Sequence, residues 1–151
     1  IATTLDVHFR EFFTGDATRE GTDQHLEWLG LLNSCSAFES YCKVYTADVR
    51  PQRVAEFLLL NAEFPHSVRF SVERFERSLR GLDEKASERR TARLNRLAGR
   101  LGASLNYMQI DEVFVTGLSE FLHSIHRQNL QIHSAIYDAY INYPVQLALE
   151  A

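Results

Sequence analysis

Residues 87–108, SERRTARLNRLAGRLGASLNYM, place Leu94, Leu97, Leu101, Leu105 and Met108 at steps of three, four, four and three. That is the period of one face of an α-helix, and Arg89, Arg90, Arg93, Arg96 and Arg100 fall mostly off it. An apolar ridge with a charged back requires cover from another helix, so the stretch predicts a helix paired as in a coiled coil.

Immediately before it, Val68, Val72, Phe75, Leu79 and Leu82 step by four, three, four and three, predicting a helix opened by Pro65 and stopped near Gly81. Beyond it, Phe114, Leu118, Phe121, Ile125, Ile132, Ile136 and Ala139 form the seam of one long helix from about Asp111 to Tyr140. Asp111 and Glu112 fall where the positive end of its dipole favours acids.

Nearer the start, Ile1, Leu5, Phe9, Phe12 and Phe13 read as a helix without an N-cap residue. A turn-rich stretch follows from Thr14 to Gly21, then a helix from about Asp23 to Asn33 carrying Leu26, Trp28, Leu29 and Leu32. Ser36 with Glu39 has the capping-box spacing and predicts a short helix whose apolar face is Phe38, Tyr41, Cys42 and Tyr45. Pro51 suits a first helical turn, and Val54 with Phe57 to Leu60 predict a helix buried on most sides.

No stretch alternates like a strand, and 7 Gly with 3 Pro are too few for the turns of an all-β chain. The expected fold is therefore all-α: an antiparallel bundle of six or seven helices ending in a long one, in a single domain over residues 1–151. A composition 45% apolar and 24% charged fits an ordinary globular chain.

A net charge of −4 argues against a surface devoted to nucleic acid. Residues 66–100 are nevertheless locally basic, with ten Lys or Arg against five acids. Glu73, Glu76, Asp83, Glu84 and Glu88 interleave with those arginines, which marks a solvated face tied by helical ion pairs. Cys35 and Cys42, seven apart, match neither a zinc nor a disulfide pattern and read as reduced structural thiols. With no signal peptide and no long apolar run, a cytoplasmic protein without membrane segments is expected.

Chemistry is concentrated on the last helix. Glu120 and His123 stand three apart, as in carboxylate-bridged di-iron bundles. Such a centre needs a second pair, and Glu63–His66 is interrupted by Pro65, so no metal and no cofactor is expected. His126 and His133 share a face with Asn129 between them, at a position where the seam calls for an apolar side chain. The structural reading is a satisfied buried amide fixing register. The functional reading is a polar pocket formed by Glu120, His123, His126, Asn129 and His133, in which a histidine acts as acid or base. No phosphate-binding loop, nucleophile elbow or paired zinc histidines occur.

The strings Leu31-Leu32-Asn33-Ser34-Cys35-Ser36-Ala37-Phe38-Glu39-Ser40-Tyr41, Arg53 to Leu60 and Phe64-Pro65-His66-Ser67-Val68 resemble the bacterial alpha-E domain family. Thr4-Leu5-Asp6-Val7, Ile110 to Val113 and Gly117 to Leu122 are similar to it too, so the resemblance runs in order over essentially the whole chain. The family is mostly helical, of unknown function and about twice this length in two related halves, and this chain resembles the second half. The uncapped start at Ile1 fits an internal boundary. Where the family often has Arg after the Phe-Pro pair, this chain has His66.

Family members are typically encoded beside or fused to circularly permuted ATP-grasp proteins, often near transglutaminase-like proteins. The resemblance therefore implies a non-catalytic accessory subunit that binds an ATP-grasp type protein in an amide-forming or peptide-modifying system. The alternative is an enzyme acting on a peptide or amide substrate through the polar pocket. A half-length chain also exposes apolar surface, which implies a homo-oligomer where no protein partner covers it.

Overall fold

A computed structural model describes residues 1–13, 21–46, 48–83 and 88–142. Among these residues there are eight α-helices and no strand: α1 (Ala2–His8), α2 (Gly21–Ser34), α3 (Phe38–Tyr45), α4 (Pro51–Leu60), α5 (Val68–Asp83), α6 (Glu88–Tyr107), α7 (Ile110–Thr116) and α8 (Leu118–Ile136). π-Helical turns, Phe9–Phe13 and Tyr137–Ile141, continue α1 and α8. The stretch 14–20, read above as turn-rich, and residues 84–87 lie outside the described residues. No described helix is long and apolar enough to cross a membrane.

The ridge on α6 is covered as its period demands. Leu94, Leu101 and Leu105 are buried while Leu97 and Met108 are half-buried, and α6 packs on α5 along one side and α8 along the other. Arg93 near the start of α6 reaches Asp138 just past the end of α8, at 3.4 Å, so the two helices run antiparallel. Central to the other half is α4, which touches α2, α3, α5, α6 and α7. Its Val54, Ala55, Phe57, Leu58, Leu59 and Leu60 are all buried, and Pro51 opens it as its fixed φ suggests.

Around α4 the aromatic residues interlock. Phe57 stacks on Phe64 at 4.8 Å and meets Tyr41 edge-on at 5.5 Å. Tyr41 donates its hydroxyl hydrogen to the Asp48 carbonyl at 2.7 Å, and Tyr45 donates to Glu56 at 2.9 Å. Burial pushes both phenols above the ordinary tyrosine range, and in Tyr45 the bond to Glu56 adds to the effect. Both therefore stay neutral donors, Tyr41 tying α3 to the segment before α4 and Tyr45 tying it to α4 itself.

Four local expectations give way to other solutions. Ser36 does not cap α3. It takes the left-handed conformation, φ 51°, at the end of α2, where its N–H donates to the Asn33 carbonyl and the Ala37 N–H donates to the Leu32 carbonyl. That pair of bonds is a Schellman closure, which satisfies the last carbonyls of α2 and commits Ser36 before α3 begins.

Pro65 likewise does not open α5. The turn before it is held by Asn61, whose side-chain oxygen accepts from the N–H groups of Glu63 and Phe64, and buried Ser67 supplies the cap by accepting the Phe70 N–H at 3.0 Å. Leu26 and Leu82 are exposed, 61% and 51%, because Leu26 lies on the side of α2 opposite the buried Trp28, Leu31 and Leu32, and Leu82 lies in the last turn of α5.

The predicted long last helix is two helices. Gly117 adopts φ 109° and ψ 113°, a conformation incompatible with a continuous helix. Its N–H closes α7 on the Val113 carbonyl and its carbonyl accepts the Phe121 N–H to start α8. A capping box between Gln109 and Glu112 starts α7, with Asp111 and Glu112 in its first turn.

Candidate functional site

A groove of about 830 Å³ runs over α6 between α5 and α8, with α1 at one end. Its floor is apolar: Val72 from α5, Leu101 from α6, and Ile125 and Ile132 from α8, all buried. It exists because α6 packs on both neighbours while α5 and α8 splay apart above it. Polar groups gather on its rim, with His123, His126, Asn129 and His133 from α8 and His66 from the corner before α5.

The groove brings together four of the five residues expected to form a pocket. Glu120 is not among its lining residues and is solvent-exposed. Asn129 is exposed on the rim, not a buried amide in the seam. By spacing, position 129 falls on the seam between Ile125 and Ile132, but the groove stays open there, so Asn129 stands on its exposed rim and fixes no register. His126 and His133 are exposed too, on the same side of α8.

His123 does not pair with Glu120 as a metal-ligating couple. Its Nε2 lies 3.3 Å from Oδ2 of Asp6 on α1. Asp6 is 5% exposed, accepts a hydrogen bond from Ser119 Oγ at 2.7 Å, and pairs with Arg10 at 3.0 Å. A buried carboxylate is tolerated only when it is this well partnered, and these bonds tie α1 to α8 at the closed end of the groove. Among the described residues no group of three or more His, Cys, Asp or Glu is placed to hold a metal ion.

The Phe64–Ser67 corner divides its labour. Phe64 and Ser67 are buried and structural, Pro65 is exposed, and only His66 faces the groove, with its Nδ1 3.4 Å from the Cys35 carbonyl oxygen. Cys35 is buried and Cys42 half-buried, and both are free thiols.

Sequence reasoning missed Asp6 and Arg10. Their spacing of four on a helix is a signal for an ion pair, but nothing local says that the carboxylate is buried against a helix more than one hundred residues away.

A second cavity, about 540 Å³ between α1 and α2, includes His8, Glu11 and Glu27 in its wall. Buried His8 meets Trp28 edge-on at 4.7 Å. Burial holds this imidazole below its ordinary value of 6.5, with Glu27 and Glu11 pulling weakly the other way. A histidine with a lowered folded pKa stabilises the fold fully above its unfolded value, and that contribution is lost as the pH falls through the folded one. Urea midpoints at about pH 7.5 and 5.5 should therefore fall for the parent chain, and fall less for His8→Gln.

Compared with known proteins, the chain matches the Alpha-E family, described as a predicted alpha-helical domain with a conserved ER motif, over residues 1–141. Glu-Arg pairs stand at 73–74, 76–77 and 88–89 of the chain. No curated protein and no solved structure matches.

Proposed function

Since the chain belongs to the Alpha-E family, we propose that it is a helical partner-binding subunit of an ATP-dependent amide-forming or peptide-modifying system. It docks an ATP-grasp type protein in the groove between α5 and α8. The observation that carries this reading is the groove itself, long, open and floored by four buried aliphatic side chains. The apolar surface runs from Leu130, which lines the groove, out along the same side of α8 and the turn after it through Tyr137 and Ile141; the three are 58%, 49% and 63% exposed. Their spacing of seven and four keeps them on one helical face, a shape that accepts an amphipathic helix. The partner's class comes from the resemblance to proteins encoded beside ATP-grasp chains.

Titration with the ATP-grasp protein encoded alongside should give a stable complex at micromolar concentration or tighter. Leu130→Glu, a change at an exposed position, should weaken that complex at least about tenfold while leaving the unfolding free energy from urea titration within about 0.5 kcal/mol of the parent. Absence of any complex at micromolar concentrations overturns the reading.

One arrangement favours a second reading. His126, Asn129 and His133 converge on the same groove, as an enzyme acting on a peptide or amide would need for acid and base catalysis. Turnover of a peptide or amide that His126→Ala abolishes would establish it, and turnover unchanged in that variant would remove it.

A further inference from the structure

Accepting that the groove is a docking surface, we infer that its occupant is an acidic amphipathic segment, with carboxylates seated on the histidine rim and apolar side chains on the floor. The charges of the lining residues decide the sign. Asp6 is the single carboxylate among them, and it is buried and already met by Ser119, Arg10 and His123. Arg10 balances its charge. From α5 only uncharged residues reach the groove, Val68, Ser71, Val72 and Phe75, and α6 contributes Leu101 alone. No lining carboxylate therefore opposes His66, His126 or His133, so the rim favours an anionic group over a cationic one.

The spacing adds a length. His126 and His133 are two turns apart on α8, roughly 10 Å at 1.5 Å per residue. A helix laid along α8 presents side chains at i and i+7 over the same distance, so the occupant carries two acidic residues seven apart beside its apolar face. Histidine changes charge between pH 5 and 8, which makes the attraction pH-dependent.

The probe is a labelled amphipathic peptide of about 15 residues, with leucines on one face and two glutamates seven apart beside them, and a twin with lysines in their place. Fluorescence anisotropy should show the glutamate peptide binding roughly tenfold tighter than its twin at about pH 6, with the preference shrinking by about pH 8. His126→Gln with His133→Gln should remove most of the pH step, leaving only what His66 supplies, while the helical circular dichroism spectrum stays intact.

Equal binding of the two peptides, binding of neither, or the same pH step in the double variant overturns the inference. A complex with the ATP-grasp protein but no charge preference leaves the docking reading standing without this one. A charge preference with no such complex keeps the acidic occupant and removes the ATP-grasp assignment.

Discussion

Phe57→Ala should lower the stability of the chain by about 3–5 kcal/mol, a large part of the 5–15 kcal/mol by which a domain is normally folded. Phe57 is 1% exposed at the centre of α4, stacked on Phe64 and edge-on to Tyr41 and Tyr45. Removing its ring leaves a cavity whose walls are poorly placed to collapse. Tyr41 is tethered through its hydroxyl to the Asp48 carbonyl, and Tyr45 is tethered to Glu56. Moving either ring inward would break a bond that now satisfies a largely buried donor, so the cost should fall toward the upper end of the range. Urea unfolding should show a lower midpoint with an unchanged slope, and Phe57→Leu, which keeps most of the volume, should cost about 1 kcal/mol. Equal losses for the two variants would show that the aromatic cluster is not what the cavity disturbs.

Alanine should have opposite effects at two glycines. At Gly117 it should destabilise by about 1–3 kcal/mol, because φ 109° with ψ 113° is strained for any residue with a side chain. Space is not the obstacle, since the nearest atom to an added Cβ there is Glu120 Cβ at 3.9 Å. Relief of that strain pulls residues 110–136 toward one continuous helix, and α7 then leaves its contact with α4. At Gly99, inside α6 and with nothing within 4 Å of an added Cβ, the same substitution should stabilise by about 0.5–1 kcal/mol through helix propensity. Thermal unfolding of the two variants measures both signs together. A stabilised Gly117→Ala would mean that the break between α7 and α8 does not depend on the glycine backbone.

The helices were legible because their signals are local and repeated. Five residues of the α6 stripe, the proline of α4 and the acids of α7 each carry information within a turn or two of chain. The misreadings lie where one residue had two local uses. Ser36 has the spacing of a capping box, yet the chain uses it to close α2, and its left-handed geometry then rules out capping α3. Gly117 interrupts a run whose 3.6-residue period continues on both sides, so periodicity alone gives no reason to break the helix there.

The histidines at 123, 126 and 133 and Asn129 were legible as one side of α8, since spacing along a helix fixes which residues share a face. Which of them would meet a groove was not. Sequence by itself determined most of the helical segments and most of each apolar face, because backbone hydrogen bonding and side-chain period act within about four residues. Only the packing of α1, α5, α6 and α8 decided that Asp6 is buried against Ser119, 113 positions away, and that a groove stays open above Leu101. Such contacts depend on how whole helices fit against one another, and no short stretch of chain contains that fit.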